Sequence, residues 1–335
     1  MPEVFHGGPP APAFSRLMLG TAQFGLPYGI ANRAGQPGYR EVLGIVAAAI
    51  EGGVNCFDTA ADYGSSEEVL GRALHELRAA DRVTVVTKVR PLSDADGVDP
   101  FRAIEESVAV SRRRLRLDCL PLVLFHKEAD AVHMEGLLQL RDRGWIRRAG
   151  FSCDTDASGT APLAARPGVT ALQIPANVLD RRHRQAGTFA TAAARGAAVF
   201  VRSVYLQGLL LMPEEEIPAP LRRVVTVRQA LATIATAAGM SLAELAARFA
   251  LGLPGVKSLV MGVDGVAHLR ENLAICDRGP LDAETTNRIE AAVPDLPADL
   301  LTPRDWEQQR IVPSWAERTA TQKSGPAADG GRDQE

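Results

Sequence analysis

Four polar side chains of chemically versatile types stand at or just beyond the ends of three apolar segments. Asp58 closes N-C-F-D, Lys88 closes V-V-T-K, and His126 follows L-V-L-F. Tyr63 comes shortly after Asp58 in D-T-A-A-D-Y-G. Lysine is scarce in this chain, which has 37 basic residues but only four lysines. Because a buried ammonium group is costly without a carboxylate, we predict that Asp58 pairs with Lys88.

A phenol, an ammonium, a carboxylate and an imidazole in one pocket would suit proton transfer to a carbonyl oxygen. The ordinary pKa of a phenol is about 10, and a nearby ammonium is expected to lower the pKa of Tyr63 toward neutrality. We therefore expect Tyr63 to be the proton donor, with Asp58 holding Lys88 in place. His126 would donate a hydrogen bond to the carbonyl oxygen. With a hydride source, this set would reduce a carbonyl or oxidise an alcohol.

Eight short apolar segments would position these side chains. They lack alternation, as expected of parallel strands that are buried on both faces. They span residues 17–19, 55–58, 83–88, 120–125, 148–151, 171–174, 198–201 and 258–261. Helical patterns between them span residues 39–51, 66–79, 101–115, 131–143, 183–195 and 222–251. Helix starts are predicted from the capping boxes Ser65/Glu68 and Ser241/Glu244 and from Asp99-Pro100.

Strands that alternate with helices predict parallel βα units, either in a closed barrel or in a doubly wound open sheet. The open sheet usually carries a glycine-rich phosphate loop, but neither G-x-G-x-x-G nor G-x-x-x-x-G-K-[ST] occurs in this chain. We therefore predict an α/β fold, a (β/α)8 TIM barrel, as a single domain over residues 15–316 with a disordered tail at 317–335. Active-site groups of such barrels lie at the carboxyl ends of the strands, where the second, third and fourth strands are neighbours.

Composition and charge exclude several classes of protein. The 335 residues are 46% hydrophobic and 23% charged, which is typical of a globular domain. A formal net charge of −3 gives no general attraction to nucleic acid or to anionic membranes. No apolar run reaches the ~20 residues of a membrane span, and the first residues do not resemble a secretory signal, so we expect a cytoplasmic protein. The four cysteines match no zinc-site spacing, and no metal is predicted.

Around these residues the sequence resembles the aldo-keto reductase family, from about Leu17 to Asn272. The most specific block is F-D-T-A-A-D-Y-G-S-S-E-E-V-L-G at 57–71, supported by L-G-T-A-Q-F-G at 19–25, G-W-I-R-R-A-G-F-S at 144–152 and R-S-V-Y-L-Q-G-L-L at 202–210. The resemblance implies a (β/α)8 barrel that uses NADP(H) to reduce an aldehyde or ketone. It also implies that Tyr63 is the general acid and that Asp58, Lys88 and His126 complete a tetrad.

The resemblance further assigns binding residues. The cofactor contacts that it implies are Gly20, Thr21, Asp58, Ser152, Gln173, Arg202, Ser203, Leu206, Gly208, Gly262, His268, Glu271 and Asn272. Candidate residues facing the substrate are Phe24, Tyr28 and Lys127.

Two of these positions depart from the family pattern. Arg202 stands where the family often has an aromatic residue on the nicotinamide, and a guanidinium can also stack on a planar ring. His268, with Asp264 nearby, stands where the family commonly has an arginine for the 2′-phosphate. NAD(H) is therefore an alternative to NADP(H).

The expected partner is a small carbonyl compound. Lys127 and Arg202 near the mouth would tolerate a polar or anionic one, such as a sugar derivative or natural-product intermediate. Two other functions remain alternatives: a non-catalytic barrel that binds the cofactor and regulates a partner, and a redox-neutral lyase or epimerase that uses Tyr63 and Lys88 for proton transfer. The complete tetrad favours the reductase.

Overall fold

Eight parallel strands form a closed barrel in chain order, which confirms the predicted (β/α)8 fold. The computed structural model describes residues 14–94, 97–154, 156–309 and 311. The predicted tail at 317–335 lies outside this part of the chain. The strands are β1 (Leu17–Gly20), β2 (Cys56–Asp58), β3 (Thr84–Val89), β4 (Leu122–Phe125), β5 (Ala149–Ser152), β6 (Val169–Pro175), β7 (Ala198–Arg202) and β8 (Val256–Met261).

Helices connect the strands and cover the outside of the barrel. They are α1 (Ala22–Gly25), α2 (Tyr39–Glu51), α3 (Ser66–Glu76), α4 (Pro100–Leu115), α5 (Met134–Asp142), α6 (Thr160–Ala164), α7 (Arg182–Gln185), α8 (Thr188–Ala194), α9 (Val225–Ala237), α10 (Leu242–Leu251), α11 (Val266–Asp277), α12 (Ala283–Ala292), α13 (Ala298–Leu301) and α14 (Pro303–Gln308).

The alternation of side chains along each strand separates two apolar layers. Met18, Val86, Leu124 and Phe200 belong to a small cluster inside the barrel, whereas the larger cluster packs between the sheet and the helices. Since side chains alternate with a period of two, the residue two positions beyond an inward-facing one also faces inward. This rule places Gly20 and six polar residues at the carboxyl end of the interior: Asp58, Lys88, His126, Ser152, Gln173 and Arg202.

Two predicted helices are broken. Residues 183–195 form α7 and α8, which are separated at Gly187, where φ is +74°. The region 222–251 is likewise divided into α9 and α10 after Ala237. Among the described residues, no single helix is long and apolar enough to cross a bilayer. The pair Ala219–Ala237 and Leu242–Leu251 reaches that length and composition only when taken together, and it bends by 89° at its break.

Two of the three predicted helix caps are present in the structure. The Asp99 side chain accepts from the Arg102 amide, and Ser241 accepts from the Glu244 amide. Ser65 precedes α3, but its side chain makes no capping hydrogen bond, so the predicted Ser65/Glu68 capping box is wrong. Its backbone, with φ −89° and ψ 7°, lacks the extended conformation that a side-chain cap normally requires.

Replacing two helical glycines by alanine should change the free energy of unfolding in opposite directions. A Cβ at Gly71 would lie 2.4 Å from the Arg114 carbonyl oxygen, because α3 and α4 approach closely there. Gly71→Ala should lower the free energy of unfolding by about 1–3 kcal/mol. Gly44 in α2 is exposed and has nothing within 4 Å of such an atom. Gly44→Ala should raise that free energy by ~0.5–1 kcal/mol. Denaturant titration measures both, and equal effects would contradict the proposed close approach.

Candidate active site

A buried ion pair lies at the carboxyl end of the barrel interior. The Lys88 Nζ donates to Asp58 Oδ1 at 2.7 Å, to Asp58 Oδ2 at 2.9 Å and to the Thr59 carbonyl oxygen at 2.8 Å. Asp58 Oδ1 also accepts from Gln173 Nε2 at 2.7 Å. Lys88 and Asp58 are only 1% and 3% exposed. All three ammonium protons are therefore used, as the low polarity of the surroundings requires.

The loop that carries Tyr63 is fixed by a network of buried hydroxyl groups. Ser66 Oγ lies 3.0 Å from Thr59 Oγ1 and donates to the Thr21 carbonyl oxygen at 2.7 Å. Below it, Thr87 Oγ1 donates to Glu67 Oε1 at 2.6 Å. These bonds connect the start of α3 with β1, β2 and β3. The motif T-A-A-D-Y-G-S-S-E thus places the phenol rigidly beside the ion pair.

Tyr63 and His126 form adjoining walls above this pair. Their ring centroids are 5.6 Å apart with nearly perpendicular planes, and the Lys88 Nζ lies 4.9 Å from the centroid of the Tyr63 ring. His126 Nδ1 lies 3.4 Å from Asp62 Oδ2. The phenol, the ammonium and the imidazole thus meet at one place, as predicted from three strand ends.

The electrostatics of Tyr63 differ from the expectation. Its pKa is raised, first because burial disfavours the phenolate and second because Asp58 is negatively charged; the Arg202 charge opposes both effects. The predicted lowering of the Tyr63 pKa is therefore wrong. The reason is that Asp58 neutralises the Lys88 charge that was expected to stabilise the phenolate. Burial likewise lowers the pKa of Lys88, against the opposing charge of Asp58.

A cavity of about 520 Å³ opens above these groups. Tyr63, Asp58 and His126 form part of its floor, and Lys88 lies beneath Asp58. The cavity wall brings together many of the other residues assigned from the sequence: Gly20, Thr21, Tyr28, Lys127, Ser152, Gln173, Arg202, Ser203, Gly208, Gly262 and His268.

Four assigned residues lie away from the cavity wall. Phe24 is 1% exposed and packs in the outer core, because α1 turns its ring away from the opening. Leu206 is also a core residue. Glu271 is exposed, and Asn272 is buried on α11 with its Nδ2 unbonded among the described residues. We therefore do not assign Phe24 to the substrate wall.

Several wall residues were not predicted. Thr302, Pro303 and Arg304 line the cavity from a segment beyond the barrel, and Gln23 donates to Asp264 Oδ1 at 2.9 Å across the opening. A segment that follows the last strand by some forty residues carries no spacing signal for the site. Asp62, which lies beside His126 and not on the cavity wall, was also missed, although its place directly before Tyr63 could have suggested it.

Close approaches between protein segments and left-handed backbone shape part of the cavity wall. A Cβ at Gly262 would lie 2.2 Å from Gln23 Oε1, and one at Gly208 would lie 2.4 Å from the Ala31 Cβ. Ser203, Leu206 and Gln207 follow β7 with φ between 47° and 62°. Left-handed backbone in non-glycine residues is uncommon and costs energy, and it often occurs at ligand sites. These features fit a long ligand with polar groups, such as a dinucleotide, along β1, β7 and β8.

Removing one charge of the buried pair should destabilise the fold. Asp58→Asn leaves the Lys88 ammonium without its counter-ion, and we expect a loss of about 3–5 kcal/mol of unfolding free energy. The double variant Asp58→Asn/Lys88→Met also removes the ammonium and should recover a large part of this loss. Chemical denaturation of the single and double variants provides the measurement. A double variant no more stable than Asp58→Asn would show that the unpaired charge is not the cause.

Comparison with known proteins identifies the family. The profile of the aldo/keto reductase family matches residues 16–294. An uncharacterized oxidoreductase YqkF from Bacillus subtilis is 24% identical over 75% of this chain and 87% of its own length. An aldo-keto reductase from Mycolicibacterium paratuberculosis is 34% identical over 33% of this chain and 39% of its own. The holo form of aldo-keto reductase AKR11C1 from Bacillus halodurans has a similar fold, with a TM-score of 0.68, 24% identity and coverage of 84% of this chain and 93% of its own. The chain belongs to the aldo/keto reductase family.

Proposed function

We propose that this oxidoreductase catalyses the NAD(P)H-dependent reduction of a small aldehyde or ketone to an alcohol. The observation that carries the proposal is the position of the Tyr63 ring. The ring centroid lies 4.9 Å from the Lys88 Nζ, and Tyr63 forms part of the floor of the cavity. A proton donor in this position lies above a buried, fully paired ammonium group. A substrate carbonyl in the cavity can therefore meet the phenol and the His126 imidazole together.

The protein residues act on the carbonyl oxygen. When bound, the reduced nicotinamide supplies the hydride to the carbonyl carbon. The Tyr63 hydroxyl donates its proton to the oxygen, so that the product is a neutral alcohol. Because the pKa of Tyr63 is raised, the phenol is protonated throughout the neutral range and is ready to donate. The phenolate that remains lies near Arg202, whose positive charge favours it.

The cofactor would occupy the wall formed by β1, β5, β6, β7 and β8. Ser152 and Gln173 line the cavity close to the ion pair and would hold the carboxamide of the nicotinamide ring. Arg202 is fixed by its own hydrogen bonds, with Nη2 donating to the Cys153 carbonyl oxygen at 2.9 Å. Its guanidinium plane is available to stack on the ring. The left-handed segment after β7 would accommodate the pyrophosphate.

NADP(H) is the proposed cofactor, with NAD(H) as the alternative. His268 and Asp264 lie at the end of the cavity where the ribose phosphate of NADP(H) would bind. Asp264 Oδ2 lies 3.9 Å from His268 Nδ1, and Oδ1 accepts from Gln23. The imidazole can attract a phosphate, whereas the carboxylate repels it and could accept ribose hydroxyls. The balance between these two side chains would decide the cofactor preference.

The substrate would be a polar or anionic carbonyl compound. Lys127, Arg202 and Arg304 line the cavity. A sugar derivative or a natural-product intermediate that carries an acidic group would pair with these cations, whereas Asp154 on the same wall favours hydroxyl groups. The open mouth between Tyr28 and Leu211, which are 40% and 37% exposed, admits an apolar portion as well.

Replacing the phenol should separate cofactor binding from reduction. Tyr63→Phe removes the proton donor but no cavity wall, so NADPH should bind with unchanged affinity while carbonyl reduction falls by ~100-fold or more. Enhancement of NADPH fluorescence measures binding, and loss of reduced-nicotinamide absorbance with sugar aldehydes, ketoses and other carbonyls measures turnover. Binding without any turnover by the natural protein would support a regulatory barrel. Turnover of Tyr63→Phe near that of the natural protein would remove Tyr63 from the proposed role.

Asp264 should influence the choice between the two cofactors. Asp264→Asn removes a negative charge that would face the 2′-phosphate, so the ratio of KM for NADPH to KM for NADH should fall about fivefold, equivalent to ~1 kcal/mol. Steady-state kinetics with both cofactors measures the ratio. Asp154→Asn removes a carboxylate elsewhere on the wall and is the matched control. An unchanged ratio in Asp264→Asn would show that this carboxylate does not face the phosphate.

A further inference from the structure

His126 presents its two ring nitrogens to different surroundings. Nδ1 is fully buried and makes no hydrogen bond of good geometry among the described residues. The acidic group beside it is Asp62, whose Oδ2 lies 3.4 Å away. The other carboxylate oxygen of Asp62 faces Arg90, with Nε at 3.6 Å from Oδ1. The His126 side chain is 22% exposed and lines the cavity, so its exposed nitrogen is Nε2.

This arrangement selects one tautomer of the neutral ring. A neutral imidazole carries a single N–H, and the partner of one nitrogen decides where the proton resides. A lone pair on Nδ1 would be repelled by the negatively charged Asp62, whereas an Nδ1–H is attracted by it. With the proton on Nδ1, the Nε2 atom in the cavity is an acceptor and cannot donate to a carbonyl oxygen.

We propose that Asp62 is a positioning residue that keeps the neutral His126 ring protonated on Nδ1, so that Nε2 donates to a substrate oxygen only when the ring carries a second proton. This inference rests on the proposed reductase function and changes the role expected for His126. The ring is a donor in its charged form and an acceptor in its neutral form. Asp62 supports the charged form as its counter-ion.

The charged groups around His126 come from three strand ends. Asp62 and Tyr63 follow β2, Lys88 belongs to β3, and Lys127 follows His126 itself after β4. Burial is the main factor that lowers the pKa of His126; the Lys88 and Lys127 charges lower it further, and Asp62 opposes them. The ring is therefore mostly neutral at pH 7.

The consequence is a pH dependence with a defined sign. Reduction uses Nε2–H as a donor, so its rate should be greatest below the pKa of His126, which is itself below the ordinary 6.5. Above it, the donor fraction falls by about tenfold per pH unit. Tyr63 does not titrate in this range because its pKa is raised above 10.0. Alcohol oxidation has the opposite dependence, since the neutral Nε2 can accept from the alcohol hydroxyl.

The tautomer can be observed without any turnover. We would record nitrogen-15 spectra of the His126 ring in the full-length protein above the titration range, assigned by comparison with His126→Gln. The natural protein should show Nδ1–H. In Asp62→Leu, which keeps similar volume without polar atoms, a buried Nδ1–H would have no acceptor, so the ring should change to Nε2–H. Nε2–H in the natural protein would overturn the proposal even if the protein proved not to be a reductase.

The pH dependence of the reduction rate is the second test of the proposal. Reduction by the natural protein, with NADPH and its best carbonyl substrate, should fall by about tenfold per unit above the His126 pKa. Reduction by Asp62→Leu should vary by only about twofold over the same interval, because its neutral ring still donates. Asp142→Asn, which removes an exposed carboxylate that pairs with Arg141 away from the cavity wall, should keep the natural profile. A profile of Asp62→Leu that matches the natural one would refute the role of Asp62. Absence of carbonyl turnover in the natural protein would refute only the reductase proposal.

Discussion

The buried pair of Lys88 and Asp58 is the constraint on which the site depends. An ammonium group inside a barrel is tolerated only when its protons are all bonded and its charge is balanced. Here the three protons go to Asp58 and to the Thr59 carbonyl oxygen, and Gln173 donates a further bond to Asp58. These contacts leave Lys88 no free proton. The pair therefore forms a fixed floor beside the Tyr63 ring, and β2, β3 and β6 must keep their register for the pair to lie there.

The segment after β2 holds Tyr63 in a fixed position beside this ion pair. Ser66 bonds to Thr21, directly after β1, and to Thr59 of the loop. Glu67 is fully buried against Thr87, the neighbour of Lys88. Gly25 allows α1 to approach this loop, since a Cβ there would lie 1.9 Å from the Tyr63 carbonyl oxygen. The bonds and close approaches thus account for these residues of the most specific sequence block, and only Asp58 and Tyr63 within it line the cavity.

The sequence was sufficient to predict the barrel and the residues that meet at the centre of the site. Apolar runs without alternation predicted all eight strands, and α2 agrees with its predicted bounds at Tyr39–Glu51. Asp58, Lys88 and His126 could be found because strand ends meet at one rim. The direction in which the Tyr63 pKa shifts could not be predicted. It depends on whether the effect of burial on the pKa exceeds that of the Lys88 charge, which Asp58 already neutralises. Phe24 was misplaced because the direction of a short helix after β1 decides whether its ring faces the cavity or the core.

The wall formed by Thr302, Pro303 and Arg304 is remote in the chain from Tyr63 and His126. The indole of Trp306 is 0% exposed and packs in the apolar cluster outside the barrel, which anchors this wall there. Its Nε1 donates to the Asp299 carbonyl oxygen of the same segment at 2.6 Å. Substitutions or insertions there would alter the shape of the binding cavity while leaving the strand register and the ion pair intact. Under the proposed function, selectivity can therefore diverge during evolution with little effect on folding, since this cavity-lining segment is separate from the strands that hold the ion pair.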